Sequence, residues 1–240
     1  MLHGIDVELH PGAVVAILGP NGAGKSTLLR TLAGMLAPVA GAVALDGVPL
    51  ATLSRAAIAR RIAVVPQVLE LLFPFTVREI VGLGRTAHLG WLGTPSPTDR
   101  AAVDRALAEL ELEPLAGRRI DAVSGGERQR AVLAMALAQE AEVLLLDEPT
   151  VHLDPAHQRA TMLLLRALAR GRGLAVAAVL HDLNLAAAGA DRVVLLVAGR
   201  VAADGPPSDV LRQDTIDAAF GEGLRVLEVD QDRVVVPLRT

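Results

Sequence analysis

A single lysine, Lys25, stands among 22 arginines, enclosed in Gly19-Pro20-Asn21-Gly22-Ala23-Gly24-Lys25-Ser26-Thr27. That is the G-x-x-x-x-G-K-[ST] spacing of a loop that cradles phosphates. A planar guanidinium suits bidentate pairing, whereas a compact ammonium on a flexible stem can curl into a ring of backbone N–H groups and meet the β- and γ-phosphates as a point charge. Asn21, Gly22, Ala23 and Gly24 can aim consecutive N–H groups at those phosphates, and the start of a helix adds its partial positive charge. The residue types point to binding of a nucleoside triphosphate. A second run, Val143-Leu144-Leu145-Leu146-Asp147-Glu148-Pro149, is an apolar strand ending in two acids. Asp147 suits Mg²⁺ held through water beside the Ser26 hydroxyl, and Glu148 suits a base that takes a proton from attacking water.

These residues must be positioned by a strand, a loop and a helix in that order. Val14–Leu18 reads as a buried strand, the glycines follow at once, and Ser26–Leu32 opens a helix with leucines at helical spacing. Alternation in Ile5-Asp6-Val7-Glu8-Leu9 reads as a further strand before the turn at Pro11-Gly12. Ala42–Leu45 with Asp46-Gly47 reads as a strand and hairpin turn, and Ile62–Val65 as a short strand ending at Pro66-Gln67. From there to about Glu127 the pattern is mostly helical, with a loop at Gly90–Thr98 and an amphipathic helix from Thr98 to Glu111. Val143–Leu146 and Leu174–Leu180 return as strands around a helix at Ala156–Ala169, the βαβ alternation of a parallel sheet. Short strands at Val193–Val197, Arg200–Ala203, Leu224–Val229 and Val234–Val236 follow.

Composition narrows the class. The 240 residues suit one large domain or two intimately packed lobes, and a single α/β unit over residues 1–240 is expected. Apolar residues make up 52% of the chain, yet no run approaches the roughly 18 that would cross a bilayer. No charged segment followed by an apolar stretch opens the chain, so nothing suggests secretion. Zero cysteines exclude disulfides and thiolate chemistry. A net charge of −4 with scattered basic residues argues against a nucleic-acid partner.

Val123-Ser124-Gly125-Gly126-Glu127-Arg128-Gln129-Arg130 opens a long helix, and the spacing of Ser124 to Glu127 is by itself a capping box. In combination with the phosphate loop and Asp147-Glu148, it resembles the signature motif of ATP-binding-cassette (ABC) ATPases. The likeness includes Gln67, matching the Q-loop; Val151-His152-Leu153-Asp154, matching the D-loop; and His181 at a strand end, matching the switch histidine. It implies a P-loop NTPase with a RecA-like core, a mixed β-sheet, an antiparallel β portion and a helical subdomain over about 68–130. It further implies that Gln67 senses Mg²⁺ or water, that His181 contacts the γ-phosphate, and that Asp154 belongs to the nucleotide site. Ser124, Gly125 and Gly126 would meet the ATP held by a second copy of the chain, so each chain carries half of two sites in a head-to-tail homodimer.

With one cassette and no membrane segment, such a chain borrows an integral-membrane permease and sits peripherally on the cytoplasmic face of the membrane. Phe73-Pro74-Phe75-Thr76-Val77-Arg78-Glu79, Gly82-Leu83-Gly84-Arg85, His152 and Leu180-His181-Asp182-Leu183-Asn184-Leu185-Ala186 look most like importers of iron–siderophore complexes, haem or cobalamin. Those work with a permease dimer and a periplasmic or surface substrate-binding protein. Zinc or manganese importers and an iron–sulfur assembly ATPase are the alternatives. Family members carry an adenine-stacking aromatic ahead of the loop; here Met1-Leu2-His3-Gly4-Ile5 falls within what matches the second or third strand, and the first aromatic is Phe73. The expectation is a shortened chain whose base recognition is weaker by about 1–3 kcal/mol, from the worth of one base–aromatic stack.

Overall fold

The computed structural model of the protein describes residues 1–67, 73–89, 93–151, 153–229 and 232–238. Residues 68–72 in the expected helical stretch, residues 90–92 in the expected loop, and His152 lie outside the described residues.

Along the chain, β1 (Val14–Leu18) and α1 (Lys25–Leu32) flank the glycine loop. All five β1 residues are buried, as a run of consecutive apolar residues requires when both faces of a strand are covered. Next, β2 (Ala44–Leu45) and β3 (Val48–Pro49) form a hairpin whose two turn residues, Asp46 and Gly47, have φ of 50° and 76°. Two left-handed residues match the strands' own twist, so Asp-Gly is the expected turn chemistry. Then come α2 (Arg55–Arg61) and β4 (Ile62–Val65). The helices α3 (Val77–Leu83) and α4 (Pro97–Glu109) each start on a capping box, Thr76 with Glu79 and Ser96 with Asp99. The remainder is α5 (Gly125–Ala138), β5 (Val143–Asp147), α6 (Pro155–Arg172), β6 (Ala175–Val179), α7 (Leu183–Gly189), β7 (Arg192–Val197) and β8 (Arg200–Gly205). Two short helices, α8 (Pro207–Val210) and α9 (Gln213–Phe220), lead to β9 (Leu224–Val229) and β10 (Asp232–Pro237).

The chain divides into two compact units, Met1–Ala37 with Leu145–Thr240, and Pro38–Leu144. In the first, the strands are ordered β5-β6-β1-β7-β8. β1 is parallel to both β6 and β7, while β8 returns antiparallel beside β7 after a register shift between Leu195 and Leu196. The sheet is thus mixed, and β9 and β10 form a separate antiparallel pair. Its core is aliphatic: Ile17, Leu18, Leu29, Leu145, Leu146, Met162, Leu165 and Leu180 are each under 2% exposed, and each such side chain contributes about 1.5–3 kcal/mol through burial.

In the second unit β4 lies beside the start of β5, and α3 and α4 pack on α5. Backbone meets backbone at Gly84, where a Cβ would lie 2.0 Å from the Met135 carbonyl oxygen. Next to it the buried Arg85 donates to Asp99 at 2.9 Å, to the Ala138 carbonyl at 2.7 Å and to Glu140 at 2.8 Å. A guanidinium with its forks filled in this way can be buried without an unpaired charge.

The strand expected at Ile5–Leu9 is not formed. The segment is extended and alternates half-buried Ile5, Val7 and Leu9 with exposed Asp6 and Glu8, yet no backbone ladder runs along it. Alternation reports a half-covered face, while a strand also needs a paired neighbour. No described helix is long and apolar enough to cross a membrane.

Candidate active site

The phosphate loop is shaped by its contacts at both ends. Gly19 has φ 146°, and a Cβ there would stand 2.1 Å from the Leu196 carbonyl oxygen. Gly24, at φ 102°, occupies the N-cap of α1, where no side chain caps the helix. The first N–H groups of α1 therefore keep their hydrogen-bonding capacity for something else.

Lys25 is 6% exposed. Its Nζ donates to the carbonyls of Gly19 at 2.8 Å and Pro20 at 3.1 Å, curling back over the loop. Burial pulls its pKa below the ordinary value, opposed by the carboxylates of Glu148 and Asp147. An ammonium shielded from water on this loop gains most from a ligand that brings negative charge.

The first turn of α1 and the ends of two strands, β5 and β6, supply the remaining groups. Ser26, in the first turn of α1, donates its hydroxyl to Asp147 Oδ1 at 3.2 Å. After Asp147 the chain turns through Glu148 at φ 53°, a left-handed conformation that costs a residue with a Cβ about 1 kcal/mol. The Glu148 N–H donates to the Val179 carbonyl at 3.2 Å, tying the end of β5 to that of β6. His181, two residues past β6, places Nε2 in direct hydrogen-bonding contact with Glu148 Oε1. Asn21, Gly22, Ala23, Gly24, Lys25, Ser26, Thr27, Glu148 and His181 line an open cavity of about 250 Å³.

The fit to ATP and Mg²⁺ follows from these groups. Uncapped N–H groups and a shielded ammonium suit a polyphosphate. A hydroxyl beside one carboxylate suits a hard cation that completes its shell with phosphate and water oxygens. Among the described residues no cluster of three or more His, Asp or Glu could hold a metal by itself.

Of the other residues singled out from the sequence, Asp154 lies in the same unit and caps α6, accepting from the His157 N–H at 3.0 Å and the His157 ring at 2.6 Å. That backbone N–H, with the ring, holds its carboxyl below the usual range. Gln67, Ser124, Gly125 and Gly126 belong to the second unit. Gln67 is exposed just past β4. Ser124 caps α5: its hydroxyl accepts from the Glu127 N–H at 3.3 Å, and Glu127 accepts from the Ser124 N–H at 2.7 Å. Ser124 and Gly125 are exposed, and nothing lies within 4 Å of where a Gly125 Cβ would be.

Comparison with known proteins gives the family. The family model described as ABC transporter matches residues 2–151. The chain belongs to the ABC transporter family. A hemin import ATP-binding protein of Nocardia farcinica is 48% identical over 100% of this chain and 83% of its own length. A cobalamin import ATP-binding protein of Halobacterium salinarum is 49% identical over 92% of this chain, which spans 55% of that protein's length. Among solved structures, an ATP-binding cassette captured as a dimer in a post-hydrolysis state with ADP and Pi superposes with a TM-score of 0.72 at 30% identity, covering 86% of this chain and 90% of that one. This ABC protein binds ATP, and its hydrolysis of ATP is coupled to transport.

The left-handed turn at Glu148 had no signal in the sequence, because a φ above zero is advertised by glycine and here the residue is an acid.

Proposed function

We propose that this ABC ATPase powers import of an iron–siderophore complex, haem or cobalamin. It works as a head-to-tail homodimer on the cytoplasmic face of the membrane, attached to a permease dimer that a substrate-binding protein supplies. The observation that carries the catalytic reading is the contact between Glu148 and His181 at the phosphate cavity. The 48% identity to a hemin import ATP-binding protein supports the choice of cargo class.

In this reading the phosphates of ATP occupy the loop Gly19–Thr27, and Lys25 exchanges the Gly19 and Pro20 carbonyls for β- and γ-phosphate oxygens. Ser26, Asp147 and Gln67 would hold Mg²⁺, which would supply positive charge to offset that of the phosphates. Glu148 accepts a proton from water as the water oxygen bonds to the γ-phosphorus, and the bond to the bridging oxygen breaks to leave ADP and phosphate. His181 orients the water and the γ-phosphate.

Across the dimer, the Ser124 hydroxyl, the N–H groups of Gly125 and Gly126 and the start of α5 complete the partner's site, with Asp154 beside the shared interface. The exposure of Ser124 and the open space at Gly125 leave room for that approach.

Co-expression with a polytopic permease provides the test. The chain should be recovered in membranes only with that partner, and binding protein loaded with haem, cobalamin or a ferric siderophore should raise ATP hydrolysis. Hydrolysis indifferent to all three cargoes would overturn the importer reading.

A further inference from the structure

His181 is held from two directions. On one side Leu180 donates its N–H to the Ile17 carbonyl at 3.1 Å, fixing the preceding residue to β1. On the other, Asp182 Oδ1 accepts the N–H groups of Asn184 at 2.8 Å and Leu185 at 3.0 Å, which caps α7.

A helix of seven residues gains little from its own hydrogen bonds, so its place is set by what it touches. Asn184 reaches a segment 51 residues away: its Nδ2 donates to the Val235 carbonyl at 2.9 Å, and its Oδ1 accepts the Val235 N–H at 2.7 Å. One planar amide thus engages both backbone groups of a single β10 residue, and Val235 is itself 6% exposed. The hairpin that carries Val235 is anchored a second time from α9. Gln213 donates to the Leu224 carbonyl at 3.0 Å and accepts the Val226 N–H at 2.9 Å, and Val226 pairs with Val235.

We infer that Asn184 is a positioning residue for His181 and that the hairpin β9–β10 is the brace against which it acts; this rests on the role of His181 proposed above. Only Asp182 and Leu183 separate Asn184 from His181, so a shift of the first turn of α7 carries the imidazole with it. The Nε2–Glu148 contact is direct, so displacing the imidazole breaks it. Asn184 does not line the phosphate cavity, so nucleotide affinity should not depend on it.

The test measures kcat, KM and ATP affinity for Asn184→Ala, His181→Ala and the double variant, with thermal melts of each. Misplacement of a reacting group by an ångström can cost up to about 100-fold in rate. Asn184→Ala is therefore expected to lower kcat about tenfold or more, with KM and ATP affinity within about twofold of the parent. Added to His181→Ala it should cost nothing further, because its effect runs through the imidazole.

Parental kcat in Asn184→Ala, or an equal loss with and without His181, overturns the inference. Parental kcat in His181→Ala overturns the proposed role of the histidine and the inference with it, and this result is distinct from the other two. Where Asn184→Ala does not fold, Asn184→Asp carries the same test: it keeps the acceptor for the Val235 N–H, lacks the donor, and should lose part of kcat at unchanged KM.

Discussion

Replacing Lys25 by Met keeps a long unbranched stem and removes the charge, and the structure sets the size of the effect. The ammonium rests on two carbonyls at 2.8 and 3.1 Å, so ATP binding exchanges partners and does not create them from water. The new element is Coulombic. One unit charge about 4 Å from one phosphate charge is worth roughly 4 kcal/mol at an effective dielectric of about 20. Releasing the two carbonyls returns about 1–2 kcal/mol of that. The net loss of about 2–3 kcal/mol raises the ATP dissociation constant roughly 30- to 150-fold.

The free protein should hardly notice. Burial already penalises the Lys25 charge, as the lowered pKa shows, so deleting the charge removes that penalty together with the two bonds. Isothermal titration calorimetry at fixed salt, paired with thermal melts, should find an unchanged melting point without nucleotide and little ATP-induced increase. Lys25→Arg should fail in the same way, since a rigid fork cannot fold back over the loop as an ammonium does. Affinity within threefold of the parent in Lys25→Met would show that the ammonium does not carry the phosphate charge.

Two further outcomes are expected. Ser124→Arg should leave ATP affinity intact and abolish steady-state hydrolysis, because it places a long charged side chain where a second copy must approach Gly125; unimpaired turnover would contradict a shared site. In the second unit, the Asp99 carboxyl is held at about 2, below its ordinary 3.8, by the Ser96 hydroxyl and N–H and by Arg85. A carboxyl with a lower pKa in the folded chain than in the unfolded one stabilises the fold above about pH 4 and ceases to do so as pH falls towards 2. Urea midpoints should therefore separate parent from Asp99→Asn at pH 6 and converge near pH 2, and a constant separation would show that the ionised carboxylate is not the source.

The phosphate loop was legible because its chemistry is local: strand, glycines and helix lie within residues 14–32, and the structure places Asn21–Thr27 with Glu148 and His181 around one cavity. The Asp46-Gly47 hairpin was legible for the same reason, as two residues define the turn. Features that depend on distant partners were not. Ile5–Leu9 carries the alternation of a strand but has no ladder neighbour, and nothing in Asn184 announces Val235. Arg85 read as part of a family-like motif, whereas the structure shows it buried against Asp99 and Glu140, a role that only the packing of α3 and α4 on α5 reveals. The turn at Glu148 belongs with these, since its conformation is imposed by the neighbouring strand end.

The shared nucleotide site is tested most directly by the mass in solution of Glu148→Gln, by size-exclusion chromatography with light scattering, with and without Mg·ATP. Removing the base while keeping the hydrogen-bonding amide should trap the closed state, giving a monomer without nucleotide and a dimer with Mg·ATP. A chain that binds ATP and stays monomeric would contradict the shared-site mechanism.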